Sequence, residues 1–352
     1  MSWELMSEFY RGRRVLVTGH TGFKGAWLCH ILKRLGARVT GYALPPGEES
    51  LFELARVASG IHSVMGDIRD IAALRAVFRD AAPEVVFHLA AQPIVRMGYR
   101  SPVDTFEVNV MGTVNLLECV RESDTVRVLV NVTTDKVYEN DEREQGYRES
   151  DRLDGADPYS NSKSCSELVT HCYTRSFLRD AGVAVSTVRA GNVIGGGDFA
   201  PERLLPDCVR AIRERRTLYL RDGCSVRPYQ HVLEALFAYL MIGARTAADP
   251  SLAGAYNVGP APKDQLTTTE LVSLFAAYFG EGFSFAQGHN DGPREAKVLR
   301  LDCTKIRDVL GIIPRTDAAR AVEWTVEWTK RYLSGGEILS VMDAQIDRFL
   351  EK

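Results

Sequence analysis

The sequence predicts an α/β chain, a doubly wound parallel sheet with a smaller, mixed and mostly helical C-terminal domain. Three observations carry this. Short β-branched apolar runs alternate with amphipathic segments from Arg13 to about Val193. A glycine-bearing turn joins the first apolar run to the first long helical pattern. After Gly195 the alternation stops, and loops, helices and brief apolar runs mix.

The elements follow in order. "RRVLVT" (13–18) is the first strand, and "AWLCHILKRLG" has apolar residues at helical spacing. "ARVTGYAL" is a second strand, "VMGDIRD" ends a third, and "IAALRAVFRDA" is an amphipathic helix. "PEVVFHLAAQ" reads as the fourth strand, "PVDTFEVNVMGTVNLLECV" as a long helix and "VRVLVNVTT" as the fifth strand. A long helix opens at "PYSNSK", and "VAVSTVRAGNV" is the sixth strand. Runs such as "VLVNV" suit strands buried on both faces, as in parallel sheets covered by helices. Farther on, "RPYQHVLEALFAYLMIGA" enters an apolar helix and "GAYNVG" is one more strand. From Thr267 the chain is mostly helical, with Trp324 and Trp328 on one helix face as packing residues. The expected division is residues 1–191 with about 228–259 as one domain, and 192–227 with 260–352 as the other.

Composition narrows the function classes. A net charge of −3 gives nothing to hold nucleic acid or an anionic membrane. No apolar run approaches the ~20 residues of a membrane span. The opening "MSWELMSEFYRGRR" lacks the basic-then-apolar order of a secretion signal, so the expected location is cytoplasmic. The 7 cysteines are scattered, odd in number and without a C-x-x-C pair, which argues against a zinc site or disulfide framework.

The glycine turn is "TGHTGFKG", with Gly19, Gly22 and Gly25 between strand and helix. A dinucleotide's pyrophosphate needs close backbone approach and the free N–H groups of a helix N-terminus. The second strand ends "VTGYAL", without the acid that meets an adenosine ribose 2′-hydroxyl. NAD is the expected cofactor, with NADP as the alternative. Arg69 is the cation available to a 2′-phosphate, although a solvated helix-start role is the plainer reading. "DPYSNSK" adds Tyr159 and Lys163, four apart on one helix face, with Pro158 suited to a helix start. An ammonium beside a phenol favours the phenolate, giving a base for a hydroxyl proton during hydride transfer.

"GHTGFKG", the threonine-bearing strand end and "YSNSK" together resemble the extended short-chain dehydrogenase/reductase family. "GDIRD", "FHLAAQPIVR", "NVMGTVNLLE", "RAGNVIGGGD", "RPYQHVLE" and "LDCTK" extend the resemblance to its nucleotide-sugar 4,6-dehydratases, above all the branch acting on CDP-glucose. The resemblance implies a Rossmann-type fold and a nucleotide-diphosphate sugar as substrate. It implies oxidation at carbon 4, loss of water across carbons 5 and 6, and return of the hydride to carbon 6. In "VTTDKVY", Thr134 then bonds the 4-oxygen beside Tyr159, and Asp135 is the acid for the carbon 6 hydroxyl. Lys136 stands where dTDP-glucose dehydratases carry a glutamate base. It is either the carbon 5 base or a charged stabiliser of the enolate. Thr133 is expected to be spare, and Val137 to affect packing only.

The cofactor contacts implied are Gly19, Thr21, Gly22, Phe23, Lys24, Gly25, Asp67, Ile68, Leu89, Ala90 and Ala91, with Tyr159 and Lys163. The substrate contacts implied are Gln92, Arg96, Asn192, Arg203, Leu204, Arg227, His231 and Arg294. Leu204 and Leu205 border the base, and His231 and Glu234 help to place Arg227 or the nucleotide. Arg294 sits in "GPREAK", where the pattern leads one to look for "HEA". No metal is implied. Relatives pair through two helices per subunit, here at 103–120 and 158–179, so a homodimer or tetramer is expected. A dehydratase or epimerase for a dTDP-, UDP- or GDP-linked sugar is the alternative, and a non-enzymatic NAD(P) sensor a third reading. Asp135 and Lys136 argue against a plain epimerase. Thr134, Tyr159 and Lys163 argue against a sensor.

Overall fold

The computed structural model describes residues 3–288 and 296–351. Its centre is a seven-stranded sheet: β1 (Arg14–Thr18), β2 (Arg38–Ala43), β3 (His62–Met65), β4 (Val85–His88), β5 (Val128–Val132), β6 (Ala184–Ala190) and β7 (Ala255–Val258). The order is β7-β6-β5-β4-β1-β2-β3 and every pairing is parallel. This is the doubly wound arrangement expected, and its order reverses between β1 and β4, where such sheets bind ligands beyond the strand ends.

Period-two alternation decides which face each side chain serves. Val15 and Val17 of β1 join Val128 and Val130 of β5 in one core, with Trp27, Leu236 and Trp328. Leu16 and Leu129 enter the opposite core with Val86, Leu116 and Leu178. A third core, with Leu205, Leu218, Leu271, Phe275 and Val322, belongs to the smaller lobe. The helix Ala318–Leu333 serves two of these cores: Trp324 and Trp328 go to the first, Ala321, Val322 and Val326 to the third. The tryptophans are packing residues, as their spacing predicts.

Three boundaries differ from the sequence expectations. β4 stops at His88, short of "LAAQ". β5 stops at Val132, because Thr133 and Thr134 turn the chain into a short 3-10 segment, Asp135–Val137, in which the Thr134 hydroxyl accepts from the Lys136 N–H. The helix Ile338–Leu350, expected with the smaller lobe, shares the first core with Tyr10 and Trp27. It is tied there by Asp343, which accepts from His30 at 2.8 Å and Arg34 at 3.0 Å. A helix at Trp3–Tyr10, for which the sequence carried no signal we read, joins that core through a Tyr10 hydroxyl bond to Leu240 O.

A buried ion pair holds β6 to the helix Pro158–Tyr173. Glu167 on that helix meets Arg189 of β6 at 3.0 Å, with both side chains under 5% exposed. The Thr133 and Thr187 hydroxyls also donate to Glu167. Arg189→Met strands the carboxylate, so a loss of about 3–5 kcal/mol is expected in denaturant unfolding. Retention of wild-type stability would show that the pair contributes no net stability. Among the described residues no helix is long and apolar enough to cross a membrane.

Candidate active site

The glycine loop leaves β1 and enters the helix Phe23–Arg34, which no side chain caps at Gly22. The first-turn N–H donors are therefore available to a phosphate. Gly25 allows the tight crossing of loop and helix, since a Cβ there would lie 2.1 Å from Gly19 O. The cleft above contains Gly19, Thr21, Gly22, Phe23, Lys24 and Gly25 together with Asp67, Ile68, Leu89, Ala90 and Ala91. Every loop residue predicted for the cofactor thus shares one cavity. Arg69 does not line it. Its guanidinium is committed to Asp67 and to Asp104 at 2.7 Å, which leaves no obvious cation for a 2′-phosphate at that point.

A second cavity opens beside the first, over the ends of β5 and β6. Thr133, Thr134, Asp135, Lys136 and Tyr159 line it, with Arg96, Asn192, Arg203, Leu204, Leu205 and Arg227. Asp135 is 1% exposed. Thr134 donates to its Oδ1 at 3.0 Å, while its Oδ2 has no partner among the described residues. Burial raises the Asp135 carboxyl above the usual range, against the pull of Lys136, Thr134 and Arg227. A carboxyl that holds its proton can act as an acid.

Tyr159 is 8% exposed, and burial pushes its phenol up to about 12. A hydrogen bond with Thr134 and the charge of Arg203 act the other way. This corrects the expectation that Lys163 lowers the phenol. Lys163 instead donates to Val132 O at 3.2 Å, and its own burial brings it down to about 8. The helix turn places the two residues on one face, but the strand end receives the ammonium.

Two substrate expectations fail. Gln92 lies outside the cavity, its amide donating to Thr105 and its oxygen accepting from Ile94 N. His231 is wholly buried, caps the helix Val232–Ala248 through Leu233 N, and packs edge-on to Trp324 and Trp27. Glu234 likewise serves the fold, accepting from Arg315 N, Thr316 N and the Thr316 hydroxyl. Arg294 lies outside the described residues. Thr133 is not spare, given its bond to Glu167, and Val137 is fully buried packing. Arg227 reaches the cavity with its guanidinium held by the carbonyls of Val226, Ala296 and Lys297.

Sequence reading missed Asp198, Glu202, Arg221, Asp222 and Tyr229, which also line the second cavity. Only "GGGD" carried a usable signal. Its Gly196 is required because a Cβ would lie 1.9 Å from the Trp328 ring, and this close contact delivers Asp198 to the cavity mouth, 3.1 Å from Arg203.

The model of the NAD dependent epimerase/dehydratase family matches residues 15–259. The chain is 42% identical to a CDP-glucose 4,6-dehydratase of Salmonella typhimurium, covering 97% of each chain. It is 30% identical to a dTDP-glucose 4,6-dehydratase of Streptomyces antibioticus, over 89% of this chain and 91% of the other. Among solved structures, a dTDP-glucose 4,6-dehydratase double mutant from Streptomyces venezuelae, with NAD bound, superposes with a TM-score of 0.78 at 26% identity, covering 93% and 99%.

Proposed function

The chain belongs to the NAD dependent epimerase/dehydratase family, and from that premise we propose that it converts CDP-glucose to CDP-4-keto-6-deoxyglucose and water. The observation that carries the reading is Asp135: a buried carboxyl with one unpartnered oxygen, in the same cavity as Tyr159. An epimerase has no need of that acid. The choice of a CDP-linked sugar rests on the relative that is 42% identical along nearly the whole length.

The glycine loop, Asp67, Ile68 and the Leu89–Ala91 segment fit NAD, through the uncapped helix N-terminus that opens on their common cavity. NAD bound there would supply the acceptor for the carbon 4 hydride and the donor for its return to carbon 6. Tyr159 accepts the proton of the 4-hydroxyl, and Thr134 orients the same oxygen. The new ketone acidifies the hydrogen on carbon 5; we assign its removal to Lys136 on the cavity wall beside Asp135, and the same group returns the proton to carbon 5 when hydride arrives at carbon 6. Asp135 gives its proton to the carbon 6 hydroxyl as that group leaves as water. Arg203, Arg227 and Asn192 are the groups for the diphosphate and sugar, with Leu204 and Leu205 against the base.

We read the protein as cytoplasmic and homodimeric. Val103, Met111, Leu168 and Phe177 stand exposed on the helical run Pro102–Arg121 and on Pro158–Leu178, which supports pairing through those helices. The test of function is incubation with CDP-, dTDP-, UDP- and GDP-sugars, following the alkaline absorbance of a 4-keto product. Product from CDP-glucose is expected. Its absence with and without added NAD rejects the proposal, and product from GDP-mannose alone moves the assignment to another nucleotide.

A further inference from the structure

Lys24 is placed by sequence in the glycine loop, where a cation would simply meet the cofactor's phosphates. Its surroundings point elsewhere. The cofactor cleft and the sugar cavity share a wall made of Phe23, Lys24, Pro93, Asp198 and Arg203. Hydride passes directly between two ligands, so their reacting carbons must meet near that wall. The Lys24 amine lies 5.8 Å from the centre of the Tyr239 ring. Tyr239 is wholly buried on the helix Val232–Ala248, and its hydroxyl has no partner among the described residues.

The charges around Lys24 come from every neighbouring element. Arg203 and Asp198 lie on the segment after Ile194, Lys163 on the helix bearing Tyr159, and Asp135 on the 3-10 segment after β5. Among the described residues no carboxylate forms an ion pair with Lys24. Burial, then Arg203 and Lys163, bring its ammonium down to about 7, with the two aspartates opposing. The residue therefore changes charge near neutrality, on the wall that the two cavities share.

We propose that Lys24 couples the oxidation state of the bound cofactor to a proton: as an ammonium it disfavours the cationic nicotinamide of NAD+ and favours neutral NADH, so that it helps to draw hydride from the sugar. This rests on the cofactor and reaction proposed above. In that step the carbon 4–hydrogen bond breaks with its electron pair passing to the nicotinamide ring. The hydroxyl proton goes to Tyr159, the sugar is oxidised to a ketone, and the ring loses its positive charge. Removal of that charge raises the proton affinity of Lys24, and by linkage protonation of Lys24 favours the reduced cofactor to the same extent.

The test is binding, without turnover. Dissociation constants for NAD+ and NADH are measured by tryptophan fluorescence on the full chain, at about pH 6 and about pH 9, on either side of about 7. Below that value Lys24 is charged and NADH is preferred; above it the preference fades. The wild-type ratio of the NAD+ to the NADH constant is expected to fall by about tenfold over the interval, the size of one unit charge at ~10 Å in a partly screened site. Lys24→Met is expected to hold the high-pH ratio at both values, and Lys24→Arg the low-pH ratio at both. A flat wild-type ratio, or a slope that persists in Lys24→Met, overturns the inference. Equal weakening of both forms by Lys24→Met, with the ratio unchanged, would make Lys24 an ordinary phosphate contact and also overturns it. Failure of the wild type to bind either form rejects the cofactor reading itself.

Discussion

Asp135→Asn is expected to lower turnover of CDP-glucose by about a hundred- to ten-thousandfold, the usual worth of a positioned acid, while KM changes little. Asparagine keeps the shape, and its amide oxygen can accept the Thr134 hydroxyl as the carboxylate does at 3.0 Å in the wild type, so the cavity is expected to survive. What is lost is the proton. Burial raises the wild-type carboxyl and so favours the protonated form, the one that can give a proton to the leaving carbon 6 hydroxyl. Oxidation at carbon 4 does not need that proton. The variant should take hydride from the substrate and then stall, so the ultraviolet absorbance of reduced nicotinamide builds up on mixing. Unchanged turnover would remove Asp135 from the chemistry. Loss of turnover with no reduced cofactor would place Asp135 in substrate binding instead.

Tyr159→Phe is expected to cost a similar factor but at the earlier step. With no group to take the 4-hydroxyl proton, the variant should show neither product nor the absorbance of reduced nicotinamide. The contrast with Asp135→Asn separates the two roles in one mixing experiment. The pH profile adds a second readout. A base whose conjugate acid sits at about 12 is scarce at neutral pH, so wild-type kcat/KM should climb with pH through the neutral range. That slope should vanish in the residual activity of Tyr159→Phe. A slope that remains would assign it to another group, with Lys163, lowered to about 8, the first to examine.

The parts of this protein legible in its sequence are those that depend on neighbours along the chain. Alternation in "RRVLVT" and "VLVNV" decided strand and sheet type, because a parallel sheet covered on both faces needs continuous apolar strands. The spacing of Gly19, Gly22 and Gly25 decided the loop, because backbone has to cross backbone there and a Cβ at Gly25 would meet Gly19 O. The strand ends were less legible. β5 stops at Val132 because Thr134 caps the 3-10 segment that follows, while the Thr133 hydroxyl is tied to Glu167, far along the chain.

The destinations of the polar side chains needed the fold. His231 and Gln92 stand in motifs that suggest ligand contact, yet one is walled in by Trp27 and Trp324 and the other is bound to Thr105 and Ile94. Tyr159 and Lys163 were read correctly as helix neighbours, but the cation acting on the phenol is Arg203, brought from the second lobe. Lys24 was read as a loop residue, and packing placed it on the wall between two cavities. The sequence by itself determined the sheet, the glycine loop and the shared helix face of Tyr159 and Lys163, because spacing sets strand faces and helix faces locally. The tertiary structure decided which groups are charged, which are withdrawn and which meet, because burial and the approach of distant segments set those properties, and no local pattern encodes them.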